Sequence, residues 1–235
     1  MPPPSARVAL VTGASQGLGR VFARALAERG CHVLLVARQE KQLQTLYDEI
    51  VAAGGRATGV PLDVTDFAAL NRLGAHIAKT WQRLDILLAN AGVLGPLTPT
   101  SHLTAKQLDK VMQVNFAANH QLVRVCEPLL LAAEHGRAVF ITSGAVRSCR
   151  PFFASYSASK AALEALVTCW AAEQKSTNLR INLLDPGPRR TRMRRQAQPG
   201  EDPQSVPTAE ALLPTLWPLL DEKCTTHGAL IQGRA

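Results

Sequence analysis

The sequence lacks any apolar run of the roughly 18 residues that a membrane-spanning helix needs. Its first five residues, Met1 to Ser5, carry neither the positive charge nor the apolar stretch of a signal peptide. These two absences argue against an integral membrane protein and give no reason to expect secretion. We therefore expect a cytoplasmic protein with no membrane partner.

The chain also lacks the residue patterns that hold metal ions. Its five cysteines are odd in number and widely spaced, and none forms a CxxC pair or lies at ligand spacing from a histidine. The six histidines show no ligand spacing among themselves. We expect no metal site, and we interpret the cysteines as free thiols that mostly fill the core.

Aromatic residues make up only 5% of the chain, and no nucleic-acid-binding motif is present. The net charge of +8 would nevertheless suit an anionic partner. Much of this charge is concentrated, because five arginines fall within the seven positions 189–195. The remaining balance is only modestly basic, so we expect no specific nucleic-acid partner.

The composition and patterning are typical of one globular α/β domain spanning residues 1–235. Hydrophobic residues make up 46% of the chain and charged residues 19%. Short runs rich in Val, Ile and Leu alternate with segments of helical periodicity, which predicts a doubly wound, seven-stranded parallel sheet flanked by helices on both faces. Strands are expected at Val8–Thr12, His32–Ala37, Ala57–Leu62, Ile86–Ala89, Ala138–Thr142, Arg180–Leu184 and Ala229–Ile231. Helices are expected to begin near Gly17, Gln39, Phe67, Thr104, Ser155 and Thr208.

Capping signals help to place the ends of these elements. Thr104 and Gln107 have the spacing of a capping box, which predicts a long helix that begins there and runs through Asn115. Glycines that precede new strands suit left-handed helix caps. These glycines are Gly30, Gly54, Gly55 and Gly136.

Two segments are expected to lie outside the regular structure. Residues 1–6 are expected to form a flexible terminus. Residues 188–207, the lid segment, mix proline, glycine, arginine and acidic residues. They are a candidate substrate lid, and a plain surface loop is the equally supported alternative.

A glycine-rich turn directly follows the first predicted strand. It reads Thr12-Gly13-Ala14-Ser15-Gln16-Gly17-Leu18-Gly19, and a helical pattern begins at once. Glycine lets the backbone approach a pyrophosphate, and the amino end of a helix supplies unpaired N–H groups and a favourable dipole. The spacing is GxxxGxG rather than the generic GxGxxG, so the position between strand and helix is what indicates a dinucleotide cradle.

The end of the second strand bears on which dinucleotide is bound. An enzyme that uses NAD places an acid there, about 20 residues beyond the glycines, to hold the ribose hydroxyls. This chain has Ala37-Arg38 instead. A guanidinium can pair with a 2′-phosphate, which a carboxylate would repel. Arg38 therefore favours NADP(H) over NAD(H), and a solvated arginine at a strand end is the alternative.

A phenol and an ammonium lie four residues apart at Tyr156 and Lys160, on one face of a predicted helix. A positive charge nearby favours the phenolate, so the pKa of Tyr156 should fall towards the range where it exchanges protons with an alcohol or carbonyl. Ser143 ends the fifth predicted strand, at the sheet edge where such folds bind ligands. Its hydroxyl can donate to a carbonyl oxygen on which charge develops.

With these motifs the sequence resembles a classical short-chain dehydrogenase/reductase from Thr12 to about Gly233, and it looks most like a little-characterised bacterial subgroup of NADP-preferring members. The matched features are the glycine motif, an adenine-pocket acid, Asn-Ala-Gly, a helix asparagine, the catalytic serine, YxxxK, and Pro-Gly with its threonine. The residues concerned are Gly13, Ser15, Gln16, Gly17, Leu18, Gly19, Asp63, Val64, Asn90, Ala91, Gly92, Asn115, Ser143, Tyr156, Lys160, Pro186, Gly187 and Thr191.

The resemblance implies a Rossmann-type enzyme that passes a hydride between the nicotinamide and a carbonyl carbon, assembled as a homodimer or homotetramer. Tyr156 would exchange the proton and Ser143 would orient the substrate oxygen. Lys160 would hold the ribose hydroxyls, and Asn115 would keep a water relay open behind it. One departure is Arg189, which stands where the family often has a small apolar residue whose backbone holds the carboxamide.

The predicted function is therefore that of an NADP-preferring oxidoreductase acting on a small-molecule carbonyl/alcohol pair. The five arginines of 189–195, the arginine cluster, leave two interpretations open. They attract an anionic substrate such as an acyl thioester or hold cofactor phosphates, or they form a solvated helix face, which we favour. The alternative function is a catalytically silent dinucleotide-binding sensor or scaffold. The joint presence of the four candidate catalytic residues argues against it; these are Asn115, Ser143, Tyr156 and Lys160.

Overall fold

The structure, a computed structural model, describes residues 6–233. Its strands are β1 (Val8–Thr12), β2 (His32–Ala37), β3 (Arg56–Pro61), β4 (Ile86–Ala89), β5 (Arg137–Ile141), β6 (Arg180–Asp185) and β7 (Leu230–Gln232). Its helices are α1 (Gly17–Glu28), α2 (Glu40–Ala52), α3 (Phe67–Trp81), α4 (Ala105–Met112), α5 (Ala118–Leu131), α6 (Ala145–Ser148), α7 (Ala154–Glu173), α8 (Arg192–Ala197) and α9 (Leu213–Leu220).

The strands form one parallel sheet with the order β3-β2-β1-β4-β5-β6-β7. The chain builds outward from β1 to β3, then returns to place β4 on the other side of β1. In the register of these pairs, Val8 aligns with His32 and Ala9 aligns with Ile86. The loops after β1 and β4 therefore leave the sheet in opposite directions, which opens a crevice at the point where such sheets bind ligands.

Helices cover both faces of the sheet, and each face has its own apolar core. Successive side chains of a strand point to opposite faces. Val8 and Leu10 accordingly pack with α3, α5 and α7, while Ala9 and Val11 pack with α1, α2 and α9. The predicted doubly wound, seven-stranded parallel sheet is confirmed.

Most strand ends agree with the prediction to within one residue, but the last helix begins later than expected. A single 3-10 turn, Glu210–Leu212, follows Thr208, and α9 begins only at Leu213. Pro214 lies in the first turn of α9. Proline suits this place because its missing N–H would have no partner there.

The long helix expected from Thr104 begins as predicted and continues to Leu131, but it contains a π-helical segment. Thr104 Oγ1 accepts a hydrogen bond from the Gln107 N–H at 3.3 Å, and Gln107 Oε1 accepts one from the Thr104 N–H at 3.0 Å. A π-helical segment, Gln113–Ala117, then separates α4 from α5. The predicted long helix through Asn115 is therefore confirmed, and the unexpected feature is the wider π-helical turn, with Asn115 in its middle.

The left-handed caps expected at glycines occur at Gly30 and Gly54, whose φ angles are 84° and 80°. Gly55 and Gly136 do not adopt positive φ, so the expectation was wrong for them. Close packing is the reason for glycine at Gly136, since a Cβ there would lie 2.4 Å from the carbonyl oxygen of Leu130.

Three further expectations concern the terminus, the thiols and the membrane. Residues 1–5 of the expected flexible terminus lie outside the described residues, whereas Ala6 is buried and its carbonyl accepts a hydrogen bond from Arg83, so that expectation was wrong for Ala6. The cysteines are free thiols, but only two of the five are buried. Within residues 6–233, no helix combines the length and the apolar character that crossing a membrane requires.

Arg137 is a buried charge at the amino edge of the sheet, opposite the crevice. It begins β5 and is 2% exposed. Its guanidinium donates to four carbonyl oxygens, those of Gly136 (2.8 Å), Asn178 (3.1 Å), Asp221 (2.9 Å) and Glu222 (2.7 Å). It therefore ties the start of β5 to the chain that follows α7 and to the chain that follows α9.

We expect Arg137→Met to lower the free energy of unfolding by about 2–4 kcal/mol, because the buried carbonyls lose a charged donor. Urea unfolding followed by circular dichroism measures this change. Arg72→Met removes an exposed arginine of α3 and is the matched control, with an expected change below about 0.5 kcal/mol. Equal stabilities of the two variants would contradict the structural role of Arg137.

Candidate active site

A cleft of about 540 Å³ opens at the carboxyl edge of the sheet, above the crevice between β1 and β4. It is lined by nearly all the residues that the sequence predicted for cofactor binding and catalysis. These are Gly13, Ser15, Gln16, Gly17, Leu18, Arg38, Asp63, Val64, Asn90, Ala91, Gly92, Ser143, Tyr156, Lys160, Pro186, Gly187, Arg189 and Thr191. Gly19 and Asn115 do not line the cleft, and both are buried.

The glycine turn before α1 needs residues without a side chain for two reasons. Gly13 and Gly17 have φ angles of +66° and +55°, which other residues rarely adopt. At Gly19 a Cβ would lie 2.2 Å from the carbonyl oxygen of Gly13. Gln16, at the start of α1, makes no side-chain capping hydrogen bond. The amino end of α1 therefore keeps N–H groups that suit a phosphate.

Thr12 joins the glycine turn to the loop after β4. Its Oγ1 accepts hydrogen bonds from the N–H groups of Asn90 and Ala91, both at 3.0 Å. In return, Asn90 Nδ2 donates to the carbonyl oxygens of Thr12 (3.0 Å) and Gly13 (3.3 Å). This role of Thr12 was not predicted from the sequence. The sequence feature that could have indicated it is a hydroxyl residue at the end of a buried strand, directly before the glycine turn.

Arg38 lies at the open side of the cleft, where its side chain is 56% exposed and its Nη1 lies 3.5 Å from Asp63 Oδ2. The other oxygen of Asp63 accepts hydrogen bonds from the Thr65 N–H and hydroxyl. Burial raises the pKa of Asp63, but the Thr65 hydrogen bonds and the Arg38 charge outweigh it and hold this pKa below its usual value. The predicted phosphate-binding and adenine-pocket residues thus lie side by side.

Tyr156 projects from the first turns of α7 into the cleft and is only 8% exposed. Its hydroxyl donates to the sulfur of Met193 at 3.9 Å, and Ser143 lines the same cleft. Ser143 Oγ accepts the N–H of Ala145 at 3.2 Å, which leaves the hydroxyl proton of Ser143 for another oxygen. The contact with Met193 was not predicted from the sequence.

Lys160 is 4% exposed and donates from Nζ to the carbonyl oxygen of Ile141 at 2.8 Å. Burial lowers the pKa of Lys160 to about 8, against the opposing charge of Glu164. Burial also raises the pKa of Tyr156, and the charge of Asp185 adds to the rise, while the hydrogen bond from Ser143 opposes it. The expected fall in the pKa of Tyr156 was therefore wrong for the protein alone, because burial of the phenol dominates.

Asn115 sits in the π-helical segment and connects three parts of the site from behind. Its Oδ1 accepts the Val93 N–H, and its Nδ2 donates to the Val93 carbonyl and to Ser159 Oγ, all at 2.9 Å. A Cβ at Gly92 would lie 3.3 Å from Asn115 Oδ1 and 3.6 Å from Lys160 Nζ. Asn115 thus holds the loop after β4 next to the ammonium.

The Pro186–Gly187 turn begins directly at the end of β6. Asp185 Oδ1 accepts the N–H of Gly187 at 3.0 Å, and Gly187 has a φ of +61°. Arg189 is 2% exposed, and its Nη1 donates to the Pro188 carbonyl at 2.8 Å. Burial lowers the pKa of Arg189, against the opposing charge of Asp185. Arg189 is thus a buried residue among those that line the cleft.

The rest of the arginine cluster is divided between solvent and ion pairing. Arg190, Arg192 and Arg195 are exposed, as the favoured interpretation of a solvated face expected. Arg194 pairs with Glu201 through two hydrogen bonds of 2.6 and 2.5 Å. Of these four residues, Arg192 and Arg194 line the cleft.

The segment that carries these arginines also crosses the cleft. Thr191 caps α8 by accepting the Arg194 N–H at 3.2 Å. Its Cγ2 lies 3.5 Å from the place that a Cβ of Gly17 would occupy. The start of α8 therefore faces the glycine turn from the opposite side. No group of three or more acidic, histidine or cysteine side chains in residues 6–233 could hold a metal ion.

Comparison with known proteins places this arrangement in a family. The model of the family described as short chain dehydrogenase matches residues 7–202. The uncharacterized oxidoreductase YciK of Escherichia coli K12 is 38% identical over 220 residues, which cover 92% of this chain and 87% of YciK. A fatty acyl-CoA reductase of Acinetobacter baylyi is 35% identical over 168 residues, covering 71% of this chain and 57% of that protein.

Solved structures agree with the sequence relatives. A short chain dehydrogenase of Shigella flexneri complexed with NADP superposes with a TM-score of 0.93 at 34% identity, over 97% of each chain. Another from Escherichia coli CFT073, complexed with NADPH, has the same TM-score and coverage at 35% identity. The family match, the relatives and the shared fold show that this chain belongs to the short-chain dehydrogenase/reductase family of oxidoreductases.

Proposed function

We propose that the protein transfers a hydride between NADP(H) and a small-molecule carbonyl/alcohol pair, with Tyr156 as the general acid and base. The observation that carries this proposal is the buried hydroxyl of Tyr156, which shares with Ser143 the cleft that the glycine turn also lines. A proton donor and a dinucleotide cradle in one cleft are what hydride transfer to a carbonyl requires.

The residues that line the cleft fit a dinucleotide. The glycine turn and the amino end of α1 would hold the pyrophosphate, and Arg38 would meet the 2′-phosphate. Asp63 and Val64 would border the adenine. Lys160 and the Asn90–Gly92 loop would hold the nicotinamide ribose, while the Pro186–Gly187 turn with Arg189 and Thr191 would hold the carboxamide. NADPH, when bound, supplies the hydride, and NADP⁺ accepts it.

The chain's own side chains handle the proton. In reduction, the carbonyl carbon gains the hydride and the carbonyl oxygen takes the proton of Tyr156 Oη, which completes the alcohol. In oxidation, the Tyr156 phenolate takes the hydroxyl proton back. Ser143, whose Oγ accepts the Ala145 N–H, would donate its hydroxyl proton to the same oxygen and stabilise the charge that develops there.

The preference for NADP(H) over NAD(H) rests on Arg38 and on the relatives. The site has a guanidinium at the end of β2, where an enzyme that uses NAD would have an acid. The similar structures from Shigella flexneri and Escherichia coli contain NADP and NADPH. A 2′-phosphate would bind next to the guanidinium of Arg38, which is exposed and positively charged.

We also infer that residues 188–207 form the substrate lid. Met193 contacts the hydroxyl of Tyr156, and the pairing of Arg194 with Glu201 links the start of the segment to its middle. The N–H of Arg190 donates to the Pro207 carbonyl at 2.8 Å and closes the segment on itself. These contacts favour a structured lid over a plain surface loop.

The substrate class and the assembly are proposed more broadly. Arg192 at the cleft suits an anionic substrate such as an acyl thioester, and one relative is named as a fatty acyl-CoA reductase. Assembly as a homodimer or homotetramer stays a prediction of the family resemblance. The alternative function, a silent dinucleotide-binding sensor, predicts binding of NADPH without consumption.

We expect Tyr156→Phe to lower kcat by at least about 100-fold, because the proton donor is lost, while NADPH still binds. A panel of ketones, aldehydes and oxoacyl thioesters, followed by NADPH absorbance, measures turnover. Tyr47→Phe is the matched control, since Tyr47 is the chain's other tyrosine and lies on α2 outside the residues that line the cleft. A wild-type protein that binds NADPH without consuming it would favour the sensor.

The raised pKa of Tyr156 predicts opposite pH dependences for the two directions. Reduction needs the neutral phenol, so its rate should stay level through neutral pH and fall only in the alkaline range. Oxidation needs the phenolate, so its kcat/KM should rise with pH up to that same range. Initial rates in both directions between about pH 6 and pH 10 test this. If kcat/KM for oxidation no longer rises above neutral pH, the pKa of Tyr156 is lowered rather than raised.

Arg38→Met should raise the KM for NADPH by about 10- to 100-fold, since a charge-assisted contact to the 2′-phosphate is lost. The KM for NADH should change by less than about threefold, because NADH has no such phosphate. Steady-state kinetics with both cofactors provide the measurement, and Arg72→Met is again the control. An equal effect on both cofactors would contradict the proposed role of Arg38.

A further inference from the structure

Arg147 links three elements of the site without lining the cleft. It lies on α6, four residues after Ser143. Its Nη2 lies 2.6 Å from Asp185 Oδ2 at the end of β6, and its Nη1 lies 3.3 Å from Glu164 Oε1 on α7. Burial lowers the pKa of Arg147, but the hydrogen bond to Asp185 and the charge of Glu164 outweigh it and raise this pKa. One guanidinium thus bridges carboxylates from two different elements.

Glu164 connects this guanidinium to the serine loop and to the lysine. It lies one helical turn after Lys160 on α7, so the two side chains share a face. Its Oε1 also accepts a hydrogen bond of 2.6 Å from the hydroxyl of Thr142, the residue that directly precedes Ser143. The position of Ser143 relative to α7 is therefore fixed on both sides, by Thr142 and by Arg147.

Asp185 connects the same guanidinium to the turn that borders the nicotinamide end of the cleft. Its Oδ1 accepts the Gly187 N–H at 3.0 Å, while its Oδ2 pairs with Arg147. The side chains of Asp185 and Glu164 are only 10% and 19% exposed. The Arg147 side chain is 38% exposed, so solvent screens these pairs in part. Its removal would nevertheless leave two sheltered carboxylates without their cation.

We propose that Arg147 is a positioning residue that holds the Ser143 loop, α7 and the Pro186–Gly187 turn together and neutralises the Asp185 carboxylate beside Tyr156. This inference rests on the proposed function, because it gives Arg147 a role in the chemistry of Tyr156. Arg147 itself is not among the residues that line the cleft.

The charges around Tyr156 make this role measurable. Ser143 and Asp185 act on the phenol from the loop after β5 and from the end of β6. Lys160, with Glu164 next to it, lies on the phenol's own helix. Arg192 and Arg194 of α8 line the same cleft, next to Met193, which contacts the phenol. Among these groups, the charge of Asp185 raises the pKa of the phenol. Without Arg147 this carboxylate would be less compensated, so the pKa of Tyr156 would rise further.

The test is the pH dependence of oxidation in Arg147 variants of the full-length protein. Arg147→Met should lower kcat by about 10- to 100-fold and move the alkaline midpoint of kcat/KM up by about 0.5 to 1 pH unit. Arg147→Lys keeps the charge but cannot bridge two carboxylates bidentately. Arg147→Lys should lower kcat while leaving the midpoint nearly unchanged. It replaces Arg147→Met as the test variant if Arg147→Met does not fold.

A second substitution separates charge from general damage. Asp185→Asn removes the carboxylate charge but keeps an oxygen for the Gly187 N–H, so it should move the midpoint down. In Arg147→Met/Asp185→Asn the two shifts should largely cancel, although kcat stays low. Arg72→Met, which removes a distant exposed arginine, should leave both the midpoint and kcat unchanged.

The outcomes distinguish this inference from the proposed function. An active wild-type protein whose midpoint and kcat are the same in Arg147→Met overturns the inference alone. A midpoint that moves in Arg147→Met but is not brought back by Asp185→Asn overturns the role of the Asp185 charge. A wild-type protein that binds NADPH and consumes none with any substrate in the panel overturns the proposed function, and this inference with it.

Discussion

The site is organised around one costly interaction, the burial of the Lys160 ammonium. Removing a cation from water is unfavourable unless polar groups surround it. Here the Ile141 carbonyl accepts from Nζ, and the missing side chain of Gly92 leaves room next to Asn115 Oδ1. Burial still lowers the pKa of Lys160 to about 8. Lys160 therefore stays largely protonated at neutral pH. Its pKa is close enough to neutral that a neighbouring charge would change its protonation.

One local irregularity, the π-helical segment, lies close to this ammonium. The π-helical segment lets the buried Asn115 satisfy both backbone groups of Val93 while it also reaches Ser159. Ser159 in turn donates to the carbonyl of Tyr156 at 2.8 Å. Single π-helical turns are frequent at functional sites because they reposition side chains at the cost of regular hydrogen bonding. The loop after β4 and helix α7 are thus connected through one amide side chain.

Much of the fold could be predicted from the sequence because parallel strands buried on both faces are short apolar runs. The glycine turn and the Tyr156–Lys160 pair were predictable because their spacing is local. The interruption at Asn115 was not, since the helical pattern on either side of it is nearly unchanged. The direction in which the pKa of Tyr156 shifts could not be predicted either, because it depends on burial of the phenol by segments distant in the sequence. Arg147 was also missed, because its partners lie 17 and 38 residues away in the chain.

The contact between Met193 and Tyr156 sets a condition for any molecule that reaches the phenol. An oxygen that takes the proton of Tyr156 has to replace the thioether that accepts it in this structure. Methionine is unbranched and polarisable, so it can yield by rotating side-chain bonds and then settle against apolar groups of different shapes. Access to the Tyr156 hydroxyl is therefore closed by a flexible side chain. In the proposed reaction this would favour tolerance of substrates of different shapes.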